Sequence, residues 1–233
     1  MDVPDAETVE LPSCAAQVSW RRSTRAHRIS LHIDPRDGTV VVTLPSRAGR
    51  NAGVALLMTH ADWVADRLAA LPAAVPFADG AMVPFLGVPH RIRHRPEARG
   101  AAWCEAGEIC VTGRAEFLSR RVTDFLRAEA LCRLRAVAAE KAALARLVPR
   151  RIAVKDTQSR WGSCAADGSI SFSWRLVMAP GFVQDYVAAH EVAHLRHMNH
   201  GPRFWALVVT LSPHTAQAVP WLRGEGARLL RIG

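Results

Sequence analysis

The chain has 233 residues, of which 49% are hydrophobic, and its formal net charge is +9. This composition is enough for one large domain or two small ones and is not that of a disordered chain. Its apolar runs are shorter than the roughly 20 residues that cross a bilayer, so no membrane association is expected. The five cysteines are scattered and include no CxxC pair, which argues against a disulfide framework or a zinc ribbon.

The positive charge has two explanations. A basic surface attracts nucleic acid or another polyanion whatever its sequence. However, Lys141 and Lys155 are the only lysines, and alanine is abundant, so part of the charge reflects a composition rich in arginine and alanine. Nucleic acid is therefore kept as a secondary candidate partner. The oligomeric state is not readable from the sequence.

We expect residues 1–15 to form a flexible N-terminus. The first ten residues are acidic and lack the apolar core of a secretory signal, which predicts a cytoplasmic protein. Residues 16–117 are expected to form a β-rich domain with one helix. Alternating apolar residues around Asp37-Gly38 predict a β-hairpin over 29–42, and apolar residues at three- and four-residue intervals predict a helix within 46–71. Further strands are predicted at residues 82–93 and 103–111.

Residues 118–233 are expected to form the catalytic domain of an α+β protein. A long helical pattern covers 119–147, and strand patterns at 152–154 and 169–174 flank the segment Ser159 to Cys164. The strand at 169–174 is our candidate for pairing with an extended substrate, although an interior place in the sheet fits the pattern equally well. Cys164 is interpreted as a small residue in a turn, because the sequence assigns it no activating base.

The most explicit chemical signal is the HExxH motif in residues 190–194. His190 and His194 are four residues apart on a predicted helix, so both imidazoles can reach one ion. Glu191 follows the first of them and can take a proton from a water molecule that the ion has made acidic. This pattern favours a zinc hydrolase that splits amides without a covalent intermediate.

A catalytic zinc ion normally has three protein ligands, so a further ligand must be found. The downstream candidates are His197, His200, His214 and Glu225. His197 would lie about 10.5 Å along a continuous helix from His190, which strains a shared tetrahedral site. His200 precedes Gly201-Pro202, where one helix is expected to end and the next to begin. A chain reversal there would return His200 to the ion.

These residues also carry a family resemblance. Asp185-Tyr186-Val187 leading into HEVAH, followed by Asn199 to Trp205, resembles the YgjP-like metallopeptidases, relatives of the SprT-like zincins. The resemblance extends to Ser159-Arg160-Trp161-Gly162-Ser163-Cys164, and the pairing of WGSC with HExxH is its specific part. Weaker similarity covers residues 25–33, 39–45, 63 and 85–87. One departure is Gly201, where YgjP-like chains are expected to have Ser and the HGP form is closer to SprT-like chains.

The resemblance implies a zincin-like catalytic domain behind a small β-rich domain. It implies one zinc ion per chain, held by His190, His194 and His200, with Glu191 as the general base. Proteins or unfolded segments are the implied substrates. Further candidates for substrate contact or support of the site are Tyr186, Trp161, Gly162, Ser163 and Arg203.

Two other functions remain open from the residues. A metal-dependent nucleotide phosphohydrolase could use the same ion and water, with arginines on the phosphates, but the chain lacks a phosphate-binding glycine loop and a carboxylate-rich magnesium site. A nucleic-acid-associated protein with a structural zinc ion is the third hypothesis. Glu191 argues against it, because a structural site has no use for a base.

Overall fold

A computed structural model of the chain describes residues 6–157 and 159–233. The chain divides into two compact units, Met1–Ala74 and Val75–Gly233. The sequence pattern predicts a boundary at 117/118 instead. The structural boundary lies earlier because buried side chains of the strands at 82–111, such as Ile92 and Ile109, share one hydrophobic core with Leu118 and Val122 of the following helix.

The first unit is a four-stranded sheet with two helices. Its strands are β1 (Glu7–Glu10), β2 (Ala15–Ser23), β3 (Ser30–Ile33) and β4 (Val40–Pro45), in the order β1-β2-β4-β3. The β3–β4 pair is antiparallel, so the predicted hairpin is confirmed. The predicted flexible N-terminus partly coincides with β1, and residues 1–5 lie outside the described residues.

Two helices replace the single helix predicted within residues 46–71. They are α1 (Arg50–Thr59) and α2 (Ala61–Ala69), separated at His60, whose φ of −109° departs from helical values. No proline or glycine marks this break, which is why the apolar spacing alone could not locate it. Both helices contribute to the core of this unit through Leu57 and Val64, which are fully buried.

The second unit begins with a sheet of the same topology. Its strands are β5 (Met82–Phe85), β6 (Val88–His94), β7 (Ala102–Glu105) and β8 (Glu108–Val111), in the order β5-β6-β8-β7. In both sheets the central pair is parallel and the two outer pairs are antiparallel. The strands predicted at 82–93 and 103–111 are therefore confirmed, each as a pair of shorter strands.

A 3-10 turn at Ala115–Phe117 leads into the long helix α3 (Leu118–Ala145). Its buried residues recur at every fourth position along most of the helix. Four residues exceed one 3.6-residue turn, so this buried stripe winds around the helix. Helix α3 can thereby pack on β7 and β8 and also on α4, the helix that carries HExxH.

The third sheet positions the WGSC segment. It contains β9 (Arg151–Lys155), β10 (Gly162–Cys164) and β11 (Ser169–Ser173), in the order β10-β11-β9. The prediction that the strand at 169–174 lies at the edge of the sheet and pairs with a substrate is therefore wrong. Strand β11 is the interior strand, and β10 lies at the edge. The pattern could not reveal this, since three consecutive residues of β10 show no clear alternation.

Three helices complete the second unit: α4 (Gly181–His194), α5 (Pro202–Leu211) and α6 (Thr215–Leu230). A 3-10 segment, Trp174–Met178, is completely buried and precedes α4. The protein is thus a mixed α+β structure, as expected. Every helix within residues 6–157 and 159–233 is too short or too polar to cross a membrane.

Candidate metal centre

Helix α4 positions His190, Glu191 and His194 in the interior of the second unit. It begins after Pro180, and ten of its fourteen residues are buried, so it is a central helix rather than an amphipathic surface helix. The rings of His190 and His194 lie one turn apart with centroids separated by 5.0 Å. The spacing of the HExxH motif therefore brings both imidazoles to the same side of the helix.

His200 returns to these two histidines from the loop between α4 and α5. The chain reverses where the Gly201 N–H donates to the Asn199 carbonyl over 2.8 Å, and Pro202 occupies the first turn of α5. The His200 ring centroid lies 5.1 Å from that of His190 and 4.7 Å from that of His194. One ring nitrogen from each of the three histidines lies within 4.8 Å of the other two.

The ring nitrogens of His190 and His200 have the spacing of two ligands of one metal ion. The Nε2 atoms of His190 and His200 are 3.2 Å apart. Two nitrogen ligands at 2.0–2.1 Å from a tetrahedral zinc ion are separated by about 3.3 Å. The residues present therefore fit a single ion bound by three imidazoles.

The protonation of the histidines also suits a ligand role. The Nδ1 of His194 lies 3.1 Å from the His197 carbonyl oxygen, so it can donate its proton there and leave Nε2 for a metal. Burial, together with His194 and His200, lowers the pKa of His190 to about 4. Burial also lowers the pKa of His194. His190 and His194 are therefore neutral imidazoles, the form that binds metals, at neutral pH.

Aromatic rings enclose the three histidines on the side of α5. The Phe204 ring lies 4.9 Å from His190, 4.5 Å from His194 and 4.7 Å from His200, measured between centroids. Trp205 lies 5.9 Å from His200 and remains 39% exposed. Phe204 is fully buried and excludes water behind the histidines, whereas Trp205 borders the open side.

Glu191 lies in a confined place next to the histidines. It is only 5% exposed, and its Oε2 has no hydrogen-bond partner in the described part of the chain. Burial raises the pKa of this carboxyl to about 7, and the nearby Arg160 partly opposes the shift. A carboxyl with this pKa can accept and release a proton near neutral pH.

Strand β10 passes directly over Glu191. A Cβ atom added to Gly162 would lie 2.5 Å from both Cγ and Oε1 of Glu191, so only glycine fits there without displacement. Cys164 shares this face of the strand, because alternate residues point the same way. Burial and Glu191 raise the pKa of its thiol to about 11, which argues against a nucleophilic role. Ser163 lies on the opposite face, and Trp161 packs against Gly226 of α6.

Tyr186 lies one turn before His190 on α4, with its ring 5.9 Å from the His190 ring. Burial and Glu191 raise the pKa of its hydroxyl, and Arg223 opposes the shift. Arg203 lies on the exposed first turn of α5 and lines a surface pocket with His197 and Asn199. Tyr186 is therefore close to the histidines, whereas Arg203 lies at the outer rim.

The other candidate ligands are placed elsewhere. His197 approaches the site through its main-chain carbonyl. His214 packs against Phe182 with ring centroids 6.3 Å apart, and Glu225 pairs with Arg228 over 3.8 Å. Neither belongs to the cluster of metal-binding side chains found in the described residues.

Two supporting contacts were not predicted from the sequence. Lys141 of α3, 5% exposed, forms an ion pair of 2.5 Å with Asp185 of α4 and so ties the HExxH helix to the long helix. At the tip of the β5–β6 hairpin, the N–H groups of Leu86 and Gly87 donate to the carbonyls of Val177 and Met178, just before α4. The only sequence signal for the first contact is that lysine is rare in this chain.

Comparison with known proteins supports the same centre. The model of the YgjP-like metallopeptidase domain matches residues 27–225, which cover part of the first unit, most of the second and all three histidines. Comparisons with curated proteins and with solved structures found no significant match. Because the family model covers most of the chain, the protein belongs to the YgjP-like metallopeptidase domain family.

Proposed function

We propose that the protein is a zinc-dependent peptidase with a zincin-like catalytic unit. His190, His194 and His200 would hold the ion, and Glu191 would act as the general base. Three imidazoles are a donor set that suits zinc, and the fourth position of a tetrahedral site would remain open for chemistry. The position of Glu191 favours a catalytic over a structural ion, because a structural site gains nothing from a buried, unpaired carboxylate.

The open edge of β10 is the observation that favours a peptide substrate. In the antiparallel pair with β11, the Ser173 N–H donates to the Trp161 carbonyl and the Ala165 N–H donates to the Ser169 carbonyl. Hydrogen-bonded positions alternate along such a pair, so the main-chain groups of Gly162 and Cys164 point to the other side. No strand occupies that side in the described part of the chain.

An extended peptide can therefore pair with Gly162 and Cys164 as an added strand. This pairing would place its backbone beside Glu191, because Gly162 contacts that side chain. Main-chain pairing gives affinity with little dependence on the peptide's sequence. A nucleotide has no main chain to use this edge, and for that reason we favour peptide hydrolysis over phosphate hydrolysis.

Each residue of the site would have its own role in the reaction. A bound zinc ion would supply Lewis-acid activation of water and of the scissile carbonyl. Glu191 would take the proton from the attacking water and pass it to the leaving amine, for which a pKa near neutrality is suitable. Phe204 would exclude bulk water behind the site, and the edge of β10 would hold the substrate backbone.

The test combines metal analysis with two activity assays. We expect about one zinc ion per chain by elemental analysis. Denatured casein should be cleaved by the wild type, and cleavage should stop with a chelator and resume with added zinc. The Glu191→Gln variant should keep the metal and lose activity by about a hundredfold or more. Glu97→Gln, an exposed carboxylate outside the site, is the matched control and should behave as wild type.

Nucleoside triphosphates are assayed in parallel. Release of phosphate or pyrophosphate that depends on Glu191, without any cleavage of casein, would overturn the peptidase and favour a phosphohydrolase. A stoichiometric zinc ion with no hydrolysis of either substrate would instead favour a structural metal.

A further inference from the structure

The positive charge of the protein is confined to the unit that carries the histidines. Residues 1–74 contain eight arginines and eight Asp and Glu residues, so they are neutral. Residues 75–233 contain 22 Lys and Arg residues and 13 Asp and Glu residues, which accounts for the whole excess of +9. The second unit also has a smaller share of Asp and Glu residues than the first, so an arginine-rich composition alone does not explain its excess charge, and this unit is the one expected to attract an anionic partner.

Two of these arginines, Arg160 and Arg223, are exposed and lie near helix α4. Arg160 immediately precedes Trp161, whose Cζ2 lies 3.2 Å from the Cβ position of Gly226 on α6. Arg223 is three residues before Gly226 on the same helix and therefore lies on the same helical face. The contact between Trp161 and α6 thus brings both exposed arginines to the end of β10.

Both guanidinium groups lie within electrostatic reach of the catalytic helix. Arg160 acts on Glu191, and Arg223 acts on Tyr186. Neither arginine forms an ion pair with a carboxylate within residues 6–157 and 159–233, whereas Arg93, Arg95, Arg150 and Arg175 all do. Both guanidinium groups are therefore without a direct ion-pair partner among the described carboxylates.

We infer that Arg160 and Arg223 bind a carboxylate of the substrate near the scissile bond, so that the enzyme prefers acidic peptides. This inference rests on the proposed peptidase function and adds a substrate class to it. An extended peptide that continues along the edge of β10 beyond Gly162 would approach Arg160, which lies two residues before the first residue of the strand. Guanidinium groups bind carboxylates through paired, charge-assisted hydrogen bonds.

The carboxylate has two sources, an Asp or Glu side chain and the C-terminus of the peptide. Both present the same planar group, so the structure supports the shared chemistry. They make different demands on the length of the substrate, because a terminal carboxylate must end the chain next to Arg160 and Arg223. Peptides that differ only in where the carboxylate is located therefore distinguish an acidic side chain from a C-terminus.

The test uses three fluorogenic peptides built on a casein cleavage site mapped by mass spectrometry. The first has Glu next to the scissile bond and an amidated C-terminus, and the second is identical except for Gln. The third has Gln and a free C-terminal carboxylate close to the scissile bond. Cleavage is measured for wild type, Arg160→Gln, Arg223→Gln and the double variant. Arg99→Gln, an exposed arginine in the β6–β7 connection, is the matched control.

We expect the wild type to favour one of the two carboxylate peptides over the amidated Gln peptide by about tenfold in kcat/KM. The double variant should reduce this ratio to about twofold or less, and Arg99→Gln should keep it. Raising the salt concentration to about 0.5 M should also reduce it, because the arginines are exposed. A preference for the Glu peptide assigns a side chain, and a preference for the free acid assigns the C-terminus.

Binding of the same peptides to Glu191→Gln, followed by fluorescence anisotropy, gives a readout that does not require turnover. Equal cleavage of all three peptides by wild type, together with equal binding to Glu191→Gln, would overturn the inference while leaving the peptidase intact. If the arginine variants lost affinity for single-stranded DNA but kept the peptide preference, the two arginines would belong to a polynucleotide site and the inference would also be wrong. Absence of metal-dependent cleavage of any peptide would reject the proposed function itself.

Discussion

The main chain of Gly162 lies against the carboxylate of Glu191, so closely that a methyl group on residue 162 would lie 2.5 Å from Oε1. The WGSC glycine is therefore required by the side chain of the proposed general base. Strand β10 limits where this carboxylate can lie, and the same strand provides the open edge for a substrate. The two motifs that identify the family thus meet at one contact.

Gly162→Ala should displace Glu191 without removing the metal ligands. We expect kcat to fall by about tenfold to a hundredfold, because a shift of about 1 Å in a catalytic group has effects of this size. Zinc content should remain that of the wild type. Gly224→Ala is the matched control, since a Cβ at this position meets no atom within 4 Å and alanine favours the helix. Equal activity of the two variants would show that Glu191 tolerates the added methyl group.

His200 and His197 allow a direct test of the third ligand. His200→Ala should weaken zinc binding by at least about a hundredfold, since even loss of a residue that only supports a ligand costs up to this much. His197→Ala should retain the metal, because His197 approaches His194 through its main-chain carbonyl, which the substitution leaves in place. Titration against a zinc indicator measures both affinities. Loss of zinc from His197→Ala with retention in His200→Ala would reverse the assignment.

Much of the site was predictable from local spacing. Residues four apart on a helix share a face, so the pairing of His190 with His194 follows from their spacing. The expected reversal at Gly201-Pro202 favoured His200 among four candidates, and the family resemblance completed the set. The hairpin at 29–42 also follows from its alternation. These features depend on contacts between residues close together in the chain.

Contacts between distant elements were not predictable. A strand pattern is the same whichever core the sheet covers, so the residues at 82–111 gave no sign that they pack with α3. The presence of Gly162 in a motif does not reveal which distant side chain makes glycine necessary at that position. Lys141 and Asp185 are 44 positions apart on two helices, and neither helical pattern indicates that their polar residues face each other.

The ion pair between Lys141 and Asp185 should contribute to stability, since both groups are partly or fully removed from water. Their side chains are 7% and 22% exposed. Lys141→Met leaves the Asp185 carboxylate without its partner and should lower the free energy of unfolding by about 3 kcal/mol. Replacing both residues by apolar ones, Lys141→Met with Asp185→Leu, should recover most of this loss.

Lys155, the only other lysine, provides the control for the ion pair. It is exposed on β9, so Lys155→Met should change stability by less than about 0.5 kcal/mol. Urea unfolding of the four proteins gives the comparison. Similar losses for the two single lysine variants would contradict a specific contribution from the pair.

The raised pKa of Glu191 predicts how the stability of the metal-free protein depends on pH. The folded carboxyl has a pKa of about 7, against an ordinary value of 4.5. Between these values the folded protein holds a proton that the unfolded chain releases, so the contribution of Glu191 to stability falls as pH rises from 4.5 through 7. Glu191→Gln removes this penalty. Its stability relative to wild type should therefore be greater at pH 8 than at pH 4.5, by up to about 3 kcal/mol.

Urea unfolding with a chelator present measures the difference, and comparing the two proteins at each pH largely cancels the contributions of the histidines. The exposed control Glu97→Gln is measured in parallel. A constant difference between Glu191→Gln and wild type across this range would mean that the Glu191 carboxyl is ionised in the folded protein as readily as in water.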